Sequence, residues 1–289
     1  MQTQVIKMQT GTFSGSEGDV IYYREVHSEG QSWAALVIVH GLGEHSGRYQ
    51  YLMEALVPRG IDVYALDLRG HGRSGGARGS LKSWQEFGDD LGAFLALVRE
   101  KAPDQPLFLM GHSLGGLIVL DYVLAHPFQA QGVITSSPAL VSNAIPRSKR
   151  WLAKLLSRLM PGLQIKSGLD AAGISSQPEE VQRYLEDAYV HDWGTPRLGA
   201  ETFAAQARIW KNVNRLAVPI LIVHGEQDPL TPVEASQNLY RQIETPYKSL
   251  ITYPGSYHEI HNDIQRADEF EDLTVWIKSQ LEAEENSTK

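Results

Sequence analysis

The strongest constraint on this chain is a series of short, uninterrupted apolar runs: Trp33–Val39, Ile61–Leu66, Leu107–Met110, Gly132–Thr135 and Pro219–Val223. A strand that is apolar at every position is buried on both faces, as in a parallel sheet covered by helices. Between the runs, Tyr49–Val57 and Trp84–Val98 carry apolar residues three and four apart, the spacing of an amphipathic helix. Strands alternating with helices imply βαβ units with right-handed crossovers. Lys248–Tyr253 reads as a last strand. Near the start, Val5–Met8 and Val20–Val26 are β-rich, with Ser14–Gly18 between them as a hairpin loop. The expected class is α/β, with a mostly parallel central sheet flanked by helices. One interval breaks the alternation. From Ala139 to Asn212 there is no convincing strand, and this stretch reads as a helical cap inserted into the sheet. The expected organisation is a core of residues 1–138 and 213–282, a cap of 139–212 and a frayed polar tail of 283–289.

Composition removes several functional classes. The 26 basic and 34 acidic residues give 26 − 34 = −8, which argues against a nucleic-acid partner. With no cysteine, there is no disulfide framework, iron–sulfur cluster, thiolate zinc site or cysteine nucleophile, and the redox compartment is left open. No run has the length of a signal peptide's apolar stretch or of a membrane span. The expected location is cytoplasmic, with peripheral membrane contact as its variant, and the oligomeric state is left open.

Gly111-His112-Ser113-Leu114-Gly115 fits Gly-x-Ser-x-Gly, and its context is specific. The strand Leu107–Met110 precedes it, and the helical stretch Leu114–Leu124 follows, with Leu117, Leu120 and Leu124 on one stripe. Strand, serine and helix in that order are the nucleophile elbow of α/β-hydrolases. The turn strains the serine, needs small neighbours at Gly111 and Gly115, and sets a helix N-terminus beside the reacting centre. A bare Gly/Ser turn is the plainer reading, but it does not account for the flanking elements. No Lys-Ser/Thr follows Gly115-Gly116, so this is not a phosphate-binding loop.

A serine hydroxyl needs a base, usually a histidine oriented by a carboxylate. In this fold the chain order is Ser, then Asp or Glu, then His. Pro219–Val223 runs into His224-Gly225-Glu226-Gln227-Asp228, which makes Asp228 the expected acid and Glu226 the fallback. His258, in the loop after Lys248–Tyr253, is the expected base. His224 at a strand end is read as packing or a backbone bond, and His126 as a helix cap. His258-Glu259-Ile260-His261 is one residue short of the His-Glu-x-x-His metal motif, so no metal is expected. The oxyanion hole needs two backbone N–H groups. Leu114 should supply one, and Leu42, in the loop His40-Gly41-Leu42-Gly43, the other.

Gly70-His71-Gly72-Arg73-Ser74-Gly75 fits the dinucleotide fingerprint, with Asp89 or Asp90 about 20 residues on. No helix starts there, however, and it is not the first βα turn. No cofactor is expected.

The run His40-Gly41-Leu42-Gly43-Glu44-His45-Ser46-Gly47-Arg48-Tyr49 resembles the signature of monoacylglycerol lipases and related lysophospholipases. Asp67-Leu68-Arg69-Gly70-His71-Gly72-Arg73-Ser74 resembles the loop that many α/β-hydrolases carry after the next strand. The resemblance spans about residues 20–280, less clearly over the cap. It implies an α/β-hydrolase fold and a cofactor-free serine esterase acting on a small lipid ester, releasing glycerol and a fatty acid from monoacylglycerol. It also implies that Glu44, Arg48 and His261 line the polar end of the site; a plainer role for Glu44 and Arg48 is a salt bridge shaping the oxyanion loop. Where the family has Asp-Pro-Leu late in the cap, this chain has Asp187-Ala188-Tyr189-Val190, so the cap should differ in shape. A nucleophilic serine sets the chain apart from haloalkane dehalogenases and epoxide hydrolases. The absent Gly-Gly-Pro-Gly loop sets it apart from proline iminopeptidases. The alternatives are a lysophospholipase, a general carboxylesterase or thioesterase, and, in another class, a non-catalytic binding protein of the same fold.

Residues 141–169 carry Arg147, Lys149, Arg150, Lys154, Arg158 and Lys166 and no acid. Trp151, Leu152, Leu155, Leu156, Leu159 and Met160 form an opposing apolar stripe, so this is a basic amphipathic helix. The stripe packs on the catalytic domain in the plainer reading. In the sharper one it makes a transient membrane or micelle contact near Trp151.

Overall fold

The apolar runs become strands because their alternate side chains feed two separate layers. The structure is a computed structural model that describes residues 7–126, 130–140 and 147–287, without the side chains of residues 147, 149, 150 and 284–287. Its first strands are β1 (Met8–Ser14), β2 (Val20–Val26) and β3 (Ala34–Val39). Helix α1 (Gln50–Leu56), β4 (Ile61–Leu66), α2 (Gln85–Lys101), β5 (Leu107–His112), α3 (Leu114–Ala125) and β6 (Gly132–Ser136) follow. Then come α4 (Arg147–Leu159), β7 (Ile165–Lys166), α5 (Pro178–Glu186), β8 (Trp193–Gly194) and α6 (Pro196–Asn212). The chain returns to the sheet with β9 (Ile220–Gly225), α7 (Val233–Gln242), β10 (Lys248–Tyr253) and α8 (Arg266–Ser287).

Among the described residues the main sheet has 8 strands in the order β1-β2-β4-β3-β5-β6-β9-β10. From β4 to β10 every neighbouring pair is parallel, while β1–β2 and β2–β4 are antiparallel. This is the expected α/β architecture. Ala35, Val37, Val39, Leu109, Val133 and Ile222 pack towards α2, α3, α6 and α7. Their alternates Leu36, Ile38, Phe108, Met110, Ile134 and Val223 pack towards α1 and α8. The period-two alternation of a strand, with both faces apolar, thus yields a three-layer core.

The first strand lies further along the chain than the sequence suggested. Residues 5 and 6 of the expected run Val5–Met8 lie outside the described residues, and β1 is Met8–Ser14, whose register pairs Met8 with Val26 and Ser14 with Val20. The tight turn, in which Gly15 N–H donates to Asp19 O at 2.8 Å, sets this register. An edge strand of Thr, Ser and Gly carries no apolar run to reveal it.

Between β6 and β9 the helices α4, α5 and α6 dominate, but the interval is not strand-free: β7 and β8 form a small antiparallel pair. Helix α6 starts where Thr195 Oγ1 accepts from Leu198 N–H at 3.2 Å, with Pro196 at the first helical position. Helix α8 continues through residues 283–287, where a frayed tail was expected; residues 288 and 289 lie outside the described residues. No described helix is long and apolar enough to cross a membrane.

Candidate active site

Ser113 sits at the junction of β5 and α3 with φ 51° and ψ −114°. A non-glycine residue there stores about 1–3 kcal/mol of backbone strain, tolerated when the surroundings over-determine it. Here Ser113 N–H donates to Ser136 O at 3.0 Å, and Ser113 O accepts from Ala139 N–H at 3.1 Å. A Cβ on Gly115 would strike the carbonyls of Val39 and His40, so the helix can seat this close only on a glycine. Leu114 is the first residue of α3, and its N–H therefore has no partner within the helix.

The turn after β9 delivers Asp228, whose side chain is fully buried. Its Oδ1 accepts from Leu230 N–H at 2.8 Å and Thr231 N–H at 2.9 Å. Its Oδ2 accepts from Thr231 Oγ1 at 2.7 Å and from His258 Nδ1 at 2.6 Å. Burial alone would raise this carboxyl, but His258, His224 and these donors hold it far below the usual range. His258 is shifted the other way. Burial opposes its charged form, yet Asp228 lifts it above its ordinary value. With Nδ1–H committed to Asp228, Nε2 keeps the lone pair. His224 supports this corner: Nε2 donates to Thr231 O at 2.8 Å and Nδ1 pairs with Ser236 Oγ at 2.7 Å. Glu226 is exposed and accepts from Thr252 Oγ1 at 2.7 Å, so the fallback acid is away from His258. His126 caps the end of α3, with Nδ1 on Tyr122 O at 3.0 Å.

A Cβ on Gly41 would lie 3.1 Å from Ser113 Cβ and 3.3 Å from the His112 ring. The His112 ring lies in turn 4.7 Å from that of His258. Leu42 follows Gly41 directly in the chain, as Leu114 follows Ser113. Gly41 is pinned, since its N–H donates to Glu44 Oε1 at 2.5 Å.

Behind the histidine lies a buried polar cluster. Glu44 Oε1 also accepts from Tyr49 OH at 3.0 Å and is 3.9 Å from His112 Nε2. Arg48 makes its close ion pair not with Glu44, 4.0 Å away, but with Glu259 at 2.5 Å. Burial and the nearby Glu259 therefore push Glu44 well above the usual carboxylate range, whereas Arg48 holds Glu259 below it against burial. His261 stacks on Tyr49 at 4.4 Å, and burial lowers it to about 4. The structure thus unites Glu44, Arg48 and His261 and adds Glu259, Tyr49 and His112. Glu259 stands beside the base in the sequence, but spacing does not reveal a partner 211 residues away. A surface cleft of about 300 Å³ lined by Arg48, Tyr51, Glu180, Arg183, Asp187 and Asn262 reaches this cluster.

The inserted segment docks onto the oxyanion loop. His191 N–H donates to Gly43 O at 2.8 Å, and His45 Nε2 donates to Asp187 Oδ2 at 2.9 Å. Gly43 has φ 82°, and a side chain there would strike His191 O. The Gly70–Gly75 stretch is a loop with no helix at its end, and Asp90 is occupied by Arg69 at 2.7 Å. His261 lies in a short 3₁₀ turn, Ile260–Asn262, not on a helix with His258, and no group of three potential metal ligands occurs among the described residues.

The chain is similar to known proteins. The family described as serine aminopeptidase, S33, matches residues 30–265. A monoacylglycerol lipase of Mycolicibacterium smegmatis is 34% identical over 93% of this chain and 97% of its own length. The crystal structure of a Paleococcus ferrophilus monoacylglycerol lipase has a TM-score of 0.79 at 35% identity, covering 95% of this chain and 100% of that one. A Saccharomyces cerevisiae monoglyceride lipase, solved with a substrate analogue, has a TM-score of 0.85 at 26% identity, covering 96% and 97%.

Proposed function

The chain belongs to the serine aminopeptidase S33 family of α/β-hydrolases, and from that premise we propose that it hydrolyses the ester of monoacylglycerols through an acyl-enzyme. The observation that carries this reading is the buried Asp228–His258 pair, whose imidazole lies 4.7 Å from the ring of His112, the neighbour of the strained Ser113 at the head of α3. Ser113 Oγ attacks the ester carbonyl while His258 Nε2 takes its proton; Asp228 fixes the tautomer and stabilises the imidazolium. The N–H groups of Leu42 and Leu114 bind the oxyanion. His258 then protonates the departing glycerol oxygen and later activates the water that releases the fatty acid.

The polar end supports a glycerol leaving group. Among the described residues, Glu44 Oε2, Arg48 Nε and both ring nitrogens of His261 are buried without a hydrogen-bond partner. Such atoms cost about 1–3 kcal/mol each until a ligand or water satisfies them, and vicinal hydroxyls are suitable partners. Residues 139–212 act as the cap over the acyl chain. On α4 and just beyond it, Trp151 is 66% and Leu159 69% exposed, with Leu152, Met160 and Leu163 also exposed, while Leu155 and Leu156 are half-buried towards the protein. This stripe, flanked by Lys154 and Arg158, suits a lipid surface, where an apolar face and basic rim add their contributions.

The test is an assay of monoacylglycerols of graded chain length beside a lysophospholipid, a thioester, a phenolic ester and an aminoacyl amide. A clear optimum on monoacylglycerols is expected. Preference for any of the others would keep the serine chemistry and discard the substrate.

A further inference from the structure

Glu269, in the first turn of α8, is fully buried, and among the described residues neither of its carboxylate oxygens has a hydrogen-bond partner. It faces the Ser136 hydroxyl at the end of β6, also buried without a partner. That strand end is where the site is assembled. The carbonyl of Ser136 accepts Ser113 N–H at 3.0 Å and His112 Nδ1 at 3.1 Å. The next residue, Ser137, has φ 44°, and its carbonyl lies 3.3 Å from Thr231 Oγ1, which also contacts Asp228 Oδ2 at 2.7 Å. A load on Ser136 therefore reaches both the nucleophile's amide and the acid's hydroxyl partner. The proposed catalytic steps make no use of Glu269.

We propose that Glu269 is a positioning residue, a neutral carboxylic acid that can turn its proton to the facing Ser136 hydroxyl and so hold the strand end that seats Ser113. Among the described residues an ionised carboxylate there would have no compensating cation: the charged or titratable groups facing it are Asp272 on α8 and Tyr253 on β10, and Asp268 stands next to it in the chain. Burial, with Asp272 adding to it, accordingly raises the carboxyl to about 8. A neutral acid can give its proton to Ser136 Oγ; an anion can only accept. Ionisation reverses the bond and places negative charge in an apolar layer lined by Phe270, Leu273 and Trp276.

The variant Glu269→Gln keeps the size and a donor but does not ionise. Folded Glu269 holds its proton up to about pH 8, whereas an unfolded glutamate releases it near about 4.3. The unfolded state thus binds one proton fewer across that window, and wild-type stability falls as pH rises. The unfolding constant of wild type relative to Glu269→Gln should rise up to about tenfold per pH unit from about pH 5 to 8, then level off. In activity, wild-type kcat should fall above about pH 8 at constant KM, and Glu269→Gln should lose that fall. A flat stability ratio overturns the neutral acid. A rising ratio with identical alkaline limbs overturns the positioning role. Should the glutamine variant not fold, Ser136→Ala removes the hydroxyl that donates to the ionised form; the alkaline limb should then move upward, and an unmoved limb overturns the proposal. The activity arm rests on the Ser113 mechanism, which an active Ser113→Ala variant would refute by itself; the stability ratio does not depend on it.

Discussion

Replacing Arg48 by Met removes one half of a buried ion pair while preserving much of the side-chain volume. The Arg48 and Glu259 side chains are 6% and 3% exposed, so the discount for surface pairs does not apply. Without the guanidinium, Glu259 keeps Asn262 Nδ2 at 2.8 Å and has the Glu44 carboxyl nearby. Stranding a buried charge in this way costs about 3–5 kcal/mol. At about 2–3 °C per kcal/mol for a chain of this size, Tm should drop by about 6–15 °C. Removing the second charge as well, in Arg48→Met/Glu259→Gln, should restore most of that, because the penalty comes from the unpaired ion. The pH dependence has a definite sign. Arg48 holds Glu259 below its ordinary value, so the pair stabilises the fold above the unfolded pKa of about 4.3 and loses this contribution as pH falls through the folded value. The deficit of Arg48→Met should therefore be largest at neutral pH and shrink towards pH 4. Urea denaturation of wild type, both single variants and the double variant at two pH values measures it. A single-variant loss below about 1 kcal/mol, or a double variant no better than Arg48→Met, would refute the reasoning.

Other consequences follow from the same geometry. Asp228→Asn should lower kcat by about 10⁴ through loss of the tautomer-fixing acceptor. Because Asp228 lifts His258, the acid limb of kcat/KM should also move to lower pH in that variant, and an unmoved limb would contradict the pairing. Gly115→Ala should cost several kcal/mol by pushing α3 off β3, to be read as a lowered Tm; a neutral effect would mean that the elbow can open. Changing Trp151 and Leu152 to Ser should leave Tm nearly unchanged and reduce co-sedimentation with anionic vesicles, since both side chains are exposed; equal binding would remove α4 from the lipid contact.

The readable parts of this chain are those where local chemistry and tertiary role coincide. A strand covered on both faces is apolar at every position, so β3 to β6 and β9 stand out. The elbow is legible because its glycines, serine and flanking elements are contiguous, and Asp228 and His258 because each follows a strand end. What stayed hidden depends on partners distant in sequence. The pairing of Arg48 with Glu259 in preference to Glu44 is decided by packing across 211 residues. The two-residue strands β7 and β8 are too short to show a period, and β1 is a polar edge strand whose register comes from its turn. Glu269 looks like any charged residue in an acidic helix start, and only its burial sets it apart. The α4 stripe has the same sequence whether it faces protein or lipid, and the structure divides it, with Trp151 outward and Leu155 half-buried.

The most direct measurement is to incubate the folded protein with a fluorophosphonate probe, locate the label, and assay monoacylglycerol turnover by wild type and Ser113→Ala. The account predicts labelling at Ser113 alone, loss of label and turnover in Ser113→Ala, and an unchanged Tm. Turnover by a folded Ser113→Ala protein, or a label on another residue, would contradict it.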